Sequence, residues 1–274
     1  MKNETKSSTA DLQGHLFVFP GRILFLGHGL HTDFHSHHAS SLLISMEEDA
    51  QFGIMLEEDG PLFSHSGLLI NPGKRHRLLG NTAKMLVLQV VPEMYRFPAE
   101  DLQILDPELV RQIRALGAGL FELDCDDASH RFFQMIELFH HGSTSGTGTA
   151  KALDPRIAAS LDHIHSSLPE ILSIHELAIG ADLSEHRFMH LFKKQVGIPV
   201  RRYALWARMQ KAAFMLKDGR TLTEAAHEAG FSDSAHMSRS FKELFGITPS
   251  AVFGDRASVS ARFCNQVWNQ ENRS

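Results

Sequence analysis

Apolar and polar positions follow two different periods along the chain. Between residues 15 and 92, short apolar runs such as LFVFPGRILFLG, SSLLISM and KMLVLQVV are separated by Gly, Pro and Asp. Short strands with turn signals between them favour a small barrel or a two-sheet sandwich. Between residues 102 and 141 apolar residues recur every three or four positions, and this period predicts helices. The first 141 residues therefore predict a β domain followed by a helical segment.

A stretch rich in Gly and Ser, GSTSGTGT at residues 142–149, interrupts both patterns. Its composition is typical of a flexible linker, and we place a domain boundary over residues 142–152. Residues 153–256 then carry the helical period, and the polar residues 257–274 predict a loose or short helical tail. The expected fold class is α+β, with a β domain before the linker and an all-α domain after it.

The clearest local signals lie in the segment TLTEAAHEAGFSDSAHMSRSFKELFGITP. Thr221 and Glu224 have the Thr-x-x-Glu spacing of a capping box, which predicts a helix start. Gly230 ends that helix, since Gly enters the left-handed region without strain. Ser232 is then expected to cap a second helix over about residues 233–245. This order predicts a helix-turn-helix, whose second helix lies in a DNA major groove.

A similar unit precedes this segment. Ser173 is expected to start one helix, and Ser184 is expected to cap a second helix that ends at Gly197. A long helix over about residues 200–216 joins the two units. The chain therefore predicts two recognition helices on a rigid connecting helix, spaced for successive major grooves about 34 Å apart.

The second unit resembles the signature of the AraC family of transcription regulators, A-x-x-x-G-F-x-D-x-x-x-x-x-R-x-F-K-x-x-x-G-x-T-P. The matching residues are Ala226, Gly230, Phe231, Asp233, Arg239, Phe241, Lys242, Gly246, Thr248 and Pro249. Met237 stands where the family usually has Phe or Tyr, and its apolar side chain suits the same core position. The resemblance covers residues 154–256 firmly, and it implies a DNA-binding regulator, not an enzyme.

Net charge is −5 over 274 residues, which is unusual for a DNA-binding protein, but the charge is unevenly divided. Residues 1–154 carry 12 Lys and Arg against 20 Asp and Glu, whereas residues 155–256 carry 13 against 11. The acidic half is therefore not the DNA-binding half. Because the positive excess is small, DNA affinity depends on where the basic residues lie.

Outward-facing residues near the start of each recognition helix are the candidates for contacts with double-stranded DNA. In the first unit these are His186, Arg187, Met189 and His190, and in the second they are Ser234, Ala235, His236, Ser238 and Arg239. The candidates for phosphate contacts are Lys193, Lys194, Arg201, Arg202 and Lys242. For any single residue, a solvated helix face is an equally good interpretation. The two units together favour DNA binding.

The β domain holds a second group of candidates. His35 and His37 are spaced to lie on one face of a strand, and His76 follows a Pro-Gly pair. These segments resemble the H-x-H and P-G-x-x-H motifs of the cupin fold, which implies a cupin-like β-barrel. In metal-binding cupins such histidines hold an ion, and Zn²⁺ is expected, with Fe²⁺, Ni²⁺ and Cu²⁺ as alternatives. The cupin Glu ligand is missing, since SLL at residues 41–43 occupies its place.

Three interpretations of the β domain stay open. It binds a metal effector, or an organic effector in a pocket without metal, or no ligand, so that protein contacts control the regulator. A cupin metalloenzyme such as a dioxygenase, fused to a DNA-binding domain, is the hypothesis from a different class. The missing carboxylate and the attached DNA-binding half argue against that hypothesis.

The helical segment carries two apolar stripes that exceed what a cover for a barrel needs. They consist of Leu109, Ile113 and Leu116, and of Phe132, Ile136 and Phe139. We expect a homodimer through this segment, with packing of both stripes on the barrel as the alternative. RNA polymerase is a further expected partner.

Cys125 and Cys264 are the only cysteines and lie far apart in the sequence. We therefore expect no disulfide framework and a reducing, cytoplasmic setting. The sequence contains no apolar run long enough for a membrane span, and its polar start has no hydrophobic signal-peptide core.

Overall fold

The computed structural model describes residues 12–80, 83–92, 94–95, 97, 101–142, 153–170, 172–254 and 257–264. Almost all of the predicted linker, and the predicted tail beyond residue 264, lie outside these residues. The described part is α+β in the predicted order, with strands first, then two helices, then a helical half. None of its helices combines the length and the apolarity that a bilayer crossing requires.

Short strands form two sheets. They are β1 (Gln13–Phe19), β2 (Arg22–His28), β3 (Ser40–Ser45), β4 (Phe52–Met55), β5 (Phe63–His65), β6 (Gly67–Ile70), β7 (Arg77–Leu79), β8 (Met85–Val90), β9 (Leu102–Ile104) and β10 (Ser258–Phe263). The large sheet has the order β10-β1-β2-β8-β3-β6-β9, and the small sheet has the order β5-β4-β7.

The predicted cupin-like β-barrel is not closed in the described residues. The strands of the small sheet are three or four residues long and pair with one another, so the large sheet ends in the edge strands β10 and β9. Phe52 and Leu78 of the small sheet share a buried core with Leu43 and Val87 of the large sheet. The two sheets therefore pack against each other, which is the sandwich arrangement that the strand pattern also favoured.

Side chains alternate between the two faces of the large sheet, and both faces carry buried apolar residues, which belong to two separate cores. One face buries Phe17, Leu24 and Leu88 against α1 (Pro107–Gly117) and α2 (Cys125–Gly142). The two predicted apolar stripes, Leu109, Ile113, Leu116, Phe132, Ile136 and Phe139, belong to this core or pack against it. The stripes pack on the sheet, as the alternative had it, and a homodimer through them loses its support.

The C-terminal half consists of short helices around one long helix. The helices are α3 (Pro155–Ser167), α4 (Ile174–Gly180), α5 (Glu185–Val196), α6 (Val200–Lys217), α7 (Leu222–Glu228), α8 (Ser234–Phe245) and α9 (Pro249–Phe253). The predicted capping box is present, since the Thr221 side chain accepts from the backbone of Glu224 and the Glu224 carboxylate accepts from the backbone of Thr221. Gly230 has a φ of 87° and makes the predicted turn before α8.

The cap of α8 differs from the prediction by one residue. Asp233 is the N-cap, and its carboxylate accepts from the backbone N–H of His236 at 2.6 Å. The Ser232 hydroxyl lies 3.2 Å from the Asp233 carboxylate instead. An ionised carboxylate interacts more strongly with the positive end of the helix than a hydroxyl does, which favours Asp233.

Helix α6 belongs to two cores. Tyr203 and Ala207 are buried with Phe188 and Phe192 of the first helix-turn-helix. Met209 and Ala212 are buried with the second helix-turn-helix and with the large sheet. The connecting helix is therefore fixed at both ends, as a rigid support for α5 and α8 requires.

The predicted tail contains a strand. Residues 258–263 read SVSARF, and their exposure alternates, with Val259, Ala261 and Phe263 partly buried. This strand pairs in parallel with β1, from Gln13 opposite Ser258 to Val18 opposite Phe263. The end of the DNA-binding half is therefore the edge strand of the N-terminal sheet.

The strand also closes a disulfide. Cys264 follows β10 and is bonded to Cys125 at the start of α2, 139 residues earlier. The Cys264 N–H donates to the Val18 carbonyl at 2.8 Å, which holds the second cysteine beside the sheet. The expectation that these cysteines form no disulfide framework is wrong, because sequence separation does not measure the distance between two positions in a folded chain.

We predict that loss of this disulfide destabilises the full-length protein. Cys264→Ser should lower the free energy of unfolding in urea by about 2–4 kcal/mol, because the cross-link restricts the unfolded chain. Dithiothreitol should lower the stability of the wild type by a similar amount and leave Cys264→Ser unchanged. Equal stability of oxidised and reduced wild type would contradict the prediction.

Candidate DNA interface and histidine cluster

The first recognition helix, α5, separates apolar and polar residues cleanly. Phe188, Phe192 and Val196 are buried, and the Ser184 hydroxyl accepts from the backbone N–H of Arg187 at the helix start. The predicted contact residues His186, Arg187, Met189, His190, Lys193 and Lys194 are all exposed. Exposure of an apolar side chain such as Met189 leaves it available for contact with a base methyl group.

The second recognition helix, α8, is less open. Ala235, Arg239 and Lys242 are exposed, whereas Ser234, His236 and Ser238 are half-buried. The Ser238 hydroxyl donates to the Ser234 carbonyl at 2.8 Å, so this hydroxyl already has an acceptor. The His236 ring lies edge-on to Phe231, with 5.4 Å between ring centroids. Arg239 is thus the predicted base contact on α8 with the most exposed long side chain.

The loop of residues 32–36, between β2 and β3, contacts the DNA-binding half. The Asp33 N–H donates to the Gly246 carbonyl at 2.8 Å, at the end of α8. The Lys242 ammonium lies 2.6 Å from the Asp33 carboxylate. Arg202 of α6 donates to the carbonyl of Ser36 at 2.6 Å and to the Ser36 hydroxyl.

Two predicted phosphate contacts are therefore engaged inside the protein in this arrangement. Lys242 is bound to an acidic residue of the β domain, and Arg202 is bound to the backbone of the same loop. The assignment of both residues to DNA phosphates stays a prediction, and so do the assignments of the other contact residues. Sequence reasoning missed Asp33 and Ser36, because no local pattern marks a contact between residues about 170–210 positions apart.

A cavity of about 150 Å³ lies between the two halves. Its walls are the second face of the large sheet, including Phe25, Leu43 and Val87, and helical residues including Trp206 and Phe241. Its polar lining includes Ser41, Gln89, Gln210 and the three candidate histidines. The cavity is mainly apolar, and neither half of the chain encloses it alone.

The structure brings the three candidate histidines together. His35, His37 and His76 are 6%, 3% and 2% exposed, and one ring nitrogen of each lies within 4.8 Å of those of the other two. The backbones of His35 and His76 exchange two hydrogen bonds of 2.9 Å, which hold the two segments side by side. The prediction that these residues share one site agrees with this geometry.

Each of these rings is oriented by a backbone carbonyl. His35 Nδ1 lies 3.0 Å from the Asp33 carbonyl, His37 Nδ1 lies 2.6 Å from the Ala39 carbonyl, and His76 Nδ1 lies 2.9 Å from the Lys74 carbonyl. A carbonyl oxygen carries no hydrogen, so each Nδ1 must be the donor. In the neutral rings the lone pair is therefore on Nε2.

Burial keeps these rings neutral. It lowers the pKa of His35 to about 3, with a further contribution from a positive charge on His76. Burial also lowers the pKa of His37 and of His76 below the usual histidine value. At neutral pH the cluster presents lone pairs and not positive charge.

Ser41, one of the three residues around the expected place of the cupin carboxylate, takes part in the cluster. The Ser41 hydroxyl lies 3.0 Å from His37 Nε2, and it is the donor because that nitrogen carries the lone pair. Ser41 is 1% exposed and faces the same cavity. The site thus contains a hydroxyl beside the three imidazoles.

Two helix-turn-helix units on one connecting helix define a DNA-binding domain, here joined to a β domain. Residues 177–254 match the family described as "Helix-turn-helix domain". The Msm operon regulatory protein of Streptococcus mutans is 31% identical over 88 residues, which are 32% of either chain. The probable transcriptional regulator LumQ of Photobacterium leiognathi is 22% identical over 241 residues, 79% of this chain and 90% of LumQ.

The C-terminal half of the chain is thus similar to the DNA-binding domains of AraC-type transcription regulators. The chain spans about a third of the length of the first relative. A fold like that of the described residues occurs in wild-type ToxT of Vibrio cholerae with a bound unsaturated fatty acid, at a TM-score of 0.54. That likeness covers 80% of this chain and 88% of ToxT at 13% identity. The named relatives are regulators, which agrees with the expectation that the chain is not an enzyme.

Gly246 offers a test of the contact between the two halves. It has a φ of 70°, and a Cβ there would lie 2.5 Å from Thr32 Cβ and 2.6 Å from His35 Nδ1. We predict that Gly246→Ala lowers the free energy of unfolding by about 1–3 kcal/mol more than Gly219→Ala, because added atoms in a packed contact force shifts.

Gly219→Ala is the matched control, since Gly219 has a φ of 79° and a Cβ there would meet nothing within 4 Å. Both substitutions carry the same backbone strain, and they differ in the contact with the 32–36 loop. Urea unfolding of the two full-length variants measures the difference. Equal losses would mean that Gly246 is not packed against this loop.

Proposed function

We propose that this protein is a transcription regulator that binds specific double-stranded DNA through α5 and α8 and responds to an effector between its two halves. The observation that carries the proposal is the cavity, whose walls come from the β domain and from the DNA-binding helices α6 and α8. A molecule bound there contacts both halves, so its binding free energy depends on their arrangement.

A small, mainly apolar molecule suits this cavity best. An engineered apolar cavity of about 150 Å³ in another protein holds one benzene molecule, so this cavity has room for one ring or a short chain. A longer effector has to move α6 or α8 away from the sheet. The unsaturated fatty acid bound by ToxT, a protein of similar fold, supports an effector with an apolar part.

The 32–36 loop connects the cavity to the DNA-binding surface. His35 lines the cavity, while Asp33 and Ser36 of the same loop hold Lys242 and Arg202. An effector that moves this loop releases two cations for contact with phosphate. Phosphate contacts dominate DNA affinity, so the release strengthens DNA binding.

Control by protein contacts without a small-molecule ligand is the second candidate. RNA polymerase and a second copy of the chain are the expected partners in that case. The cavity favours the effector, because an apolar space of this size between two halves is otherwise a cost in packing.

The DNA contacts are tested by the double variant Arg239→Ala/His190→Ala on an operator selected from random duplexes. We predict a loss of about 1–3 kcal/mol in specific binding from Arg239 if it contacts a base, measured by fluorescence anisotropy at fixed salt. Arg111→Ala is the control, because Arg111 is an exposed arginine of α1 whose partner Glu108 is on the same helix. Unchanged affinity of the double variant would refute the assignment of the DNA contacts to α5 and α8.

The 32–36 loop is tested by Asp33→Ala in the full chain. We predict tighter binding to non-specific DNA and a log-log salt dependence steeper by about one, because Lys242 becomes available to a phosphate. Glu58→Ala removes the same charge from the exposed pair with Arg75 within the β domain, and it should change neither quantity as much. Equal effects of the two variants would mean that Asp33 acts through general charge repulsion of DNA and not through its contact with Lys242.

A further inference from the structure

Strand β10 connects the DNA-binding half to the helical layer of the β domain. Phe263 packs on the DNA-binding half, with its ring centroid 5.3 Å from that of Phe214 in α6 and 6.1 Å from that of Phe253 in α9. The next residue, Cys264, is buried in the other core and is bonded to Cys125 at the start of α2. Because consecutive residues of a strand point to opposite faces, the end of β10 joins α6 and α9 on one face to α2 on the other.

Apart from the disulfide, β10 is held weakly. Its six residues alternate between exposed and half-buried, and none of them is fully buried. It is an edge strand, and its pairing with β1 is parallel, which is slightly less stable per residue than antiparallel pairing. Arg262 donates to the Leu123 carbonyl at 2.6 Å, but its side chain is exposed. Segments with few buried apolar contacts open at low free energy, so the strand depends on the covalent bond at its end.

A disulfide is unusual in a protein that binds DNA. Under the function proposed above, the chain works where DNA is, in a compartment whose thiols are kept reduced. Disulfides in such a compartment are usually transient, and they take part in catalysis or in redox sensing. Cys125 is half-buried, whereas Cys264 is 1% exposed. A reductant therefore reaches this bond from the side of Cys125, and access is one of the conditions for thiol–disulfide exchange.

We propose that Cys125 and Cys264 form a reversible redox site whose disulfide locks the DNA-binding half onto the β domain. The reductant is a dithiol. One of its thiolates attacks Cys125 Sγ, the S–S bond of the protein breaks, and Cys264 leaves as a thiolate. The second thiol of the reductant then attacks its own bonded sulfur and displaces Cys125. The protein gains two electrons and two protons, the dithiol becomes a disulfide, and oxidation by such a disulfide reverses both steps.

Reduction should detach β10 from β1. Val259 of this strand lines the cavity between the two halves, and Phe263 packs against α6. Detachment therefore opens one wall of the cavity and removes a contact that holds α6 near the sheet. The contacts of the 32–36 loop with Lys242 and Arg202 depend on the same arrangement of the halves. Reduction should release both cations and strengthen DNA binding, a direction that rests on the function proposed above.

Hydrogen exchange of the full-length protein tests the release of the strand. The oxidised protein is compared with protein treated with dithiothreitol, and thiol alkylation followed by mass spectrometry counts the reduced cysteines. Reduction should proceed without denaturant. The amides of residues 258–264 should then lose protection, including the Cys264 N–H that donates to the Val18 carbonyl. Amides of β8 and β3, in the middle of the large sheet, should keep their protection.

Two results of this experiment would overturn the redox site. Reduction that requires urea would mean that the disulfide opens only when the whole protein unfolds. A uniform loss of protection along the chain would mean that the disulfide is a structural cross-link without a local effect on β10.

Fluorescence anisotropy with a non-specific duplex at fixed salt tests the lock. The reduced wild type should bind DNA about 5-fold more tightly than the oxidised wild type, or better, as is usual for coupled sites. The double variant Cys125→Ser/Cys264→Ser should bind like the reduced wild type, and dithiothreitol should leave its affinity unchanged. A double variant that binds like the oxidised wild type would refute the lock.

Ile113→Ala is the control for a general loss of stability. Ile113 is 0% exposed in α1, on the face of the sheet away from the cavity, and its truncation costs about 2–5 kcal/mol, similar to loss of the cross-link. The disulfide stays intact in this variant, so its DNA affinity should equal that of the oxidised wild type. An increase as large as the one on reduction would overturn the lock, because lost stability alone would then explain it.

The outcomes separate this proposal from the proposed function. Tighter DNA binding on reduction together with a released β10 supports both. A released β10 with equal DNA affinity in the two redox states refutes the lock and leaves the regulator. An absence of DNA binding in both states refutes the regulator and the lock, while hydrogen exchange still decides whether reduction releases β10.

Discussion

The apolar second face of the large sheet, which lines the cavity, has to be covered by other elements. The rest of the structure depends on which elements cover it. The small sheet covers part of it with Phe52 and Leu78. Helices of the DNA-binding half contribute Met209, Phe231 and Phe241 to the same buried core. Because one hydrophobic core extends across both halves, the orientation of α5 and α8 relative to the sheet is coupled to the packing of the core.

This shared core also explains why the cavity is suited to regulation. When a cavity inside a single domain opens or closes, the packing of that domain is disturbed and the domain loses stability. A space between two halves changes size when the halves move, so a ligand there acts directly on their arrangement. The parallel strand β10 and the Cys125–Cys264 disulfide hold the end of the DNA-binding half on the sheet, and this limits the size of such a movement.

The histidine cluster lies where the cavity, the sheet and the end of α8 meet. Its rings are neutral because they are buried, and they are oriented because each Nδ1 donates to a nearby carbonyl. Such a cluster attracts a cation or a hydrogen-bond donor more than an anion. An organic acid in the cavity would therefore find no charged partner among these rings.

The sequence by itself determined the local structure. Capping residues such as Thr221 and the turn glycine Gly230 specify α7 and the turn before α8, since both act within a few residues of their position. The spacing of His35, His37 and the Pro-Gly turn before His76 was enough to propose a common site. The strand over residues 258–263 was not predicted, and its parallel partner strand is about 245 residues away. Only the tertiary structure decided the open sheets, the disulfide, the cavity and the contact of Asp33 with Lys242. These features join residues far apart in the chain, and their free energy depends on shapes that no local pattern encodes.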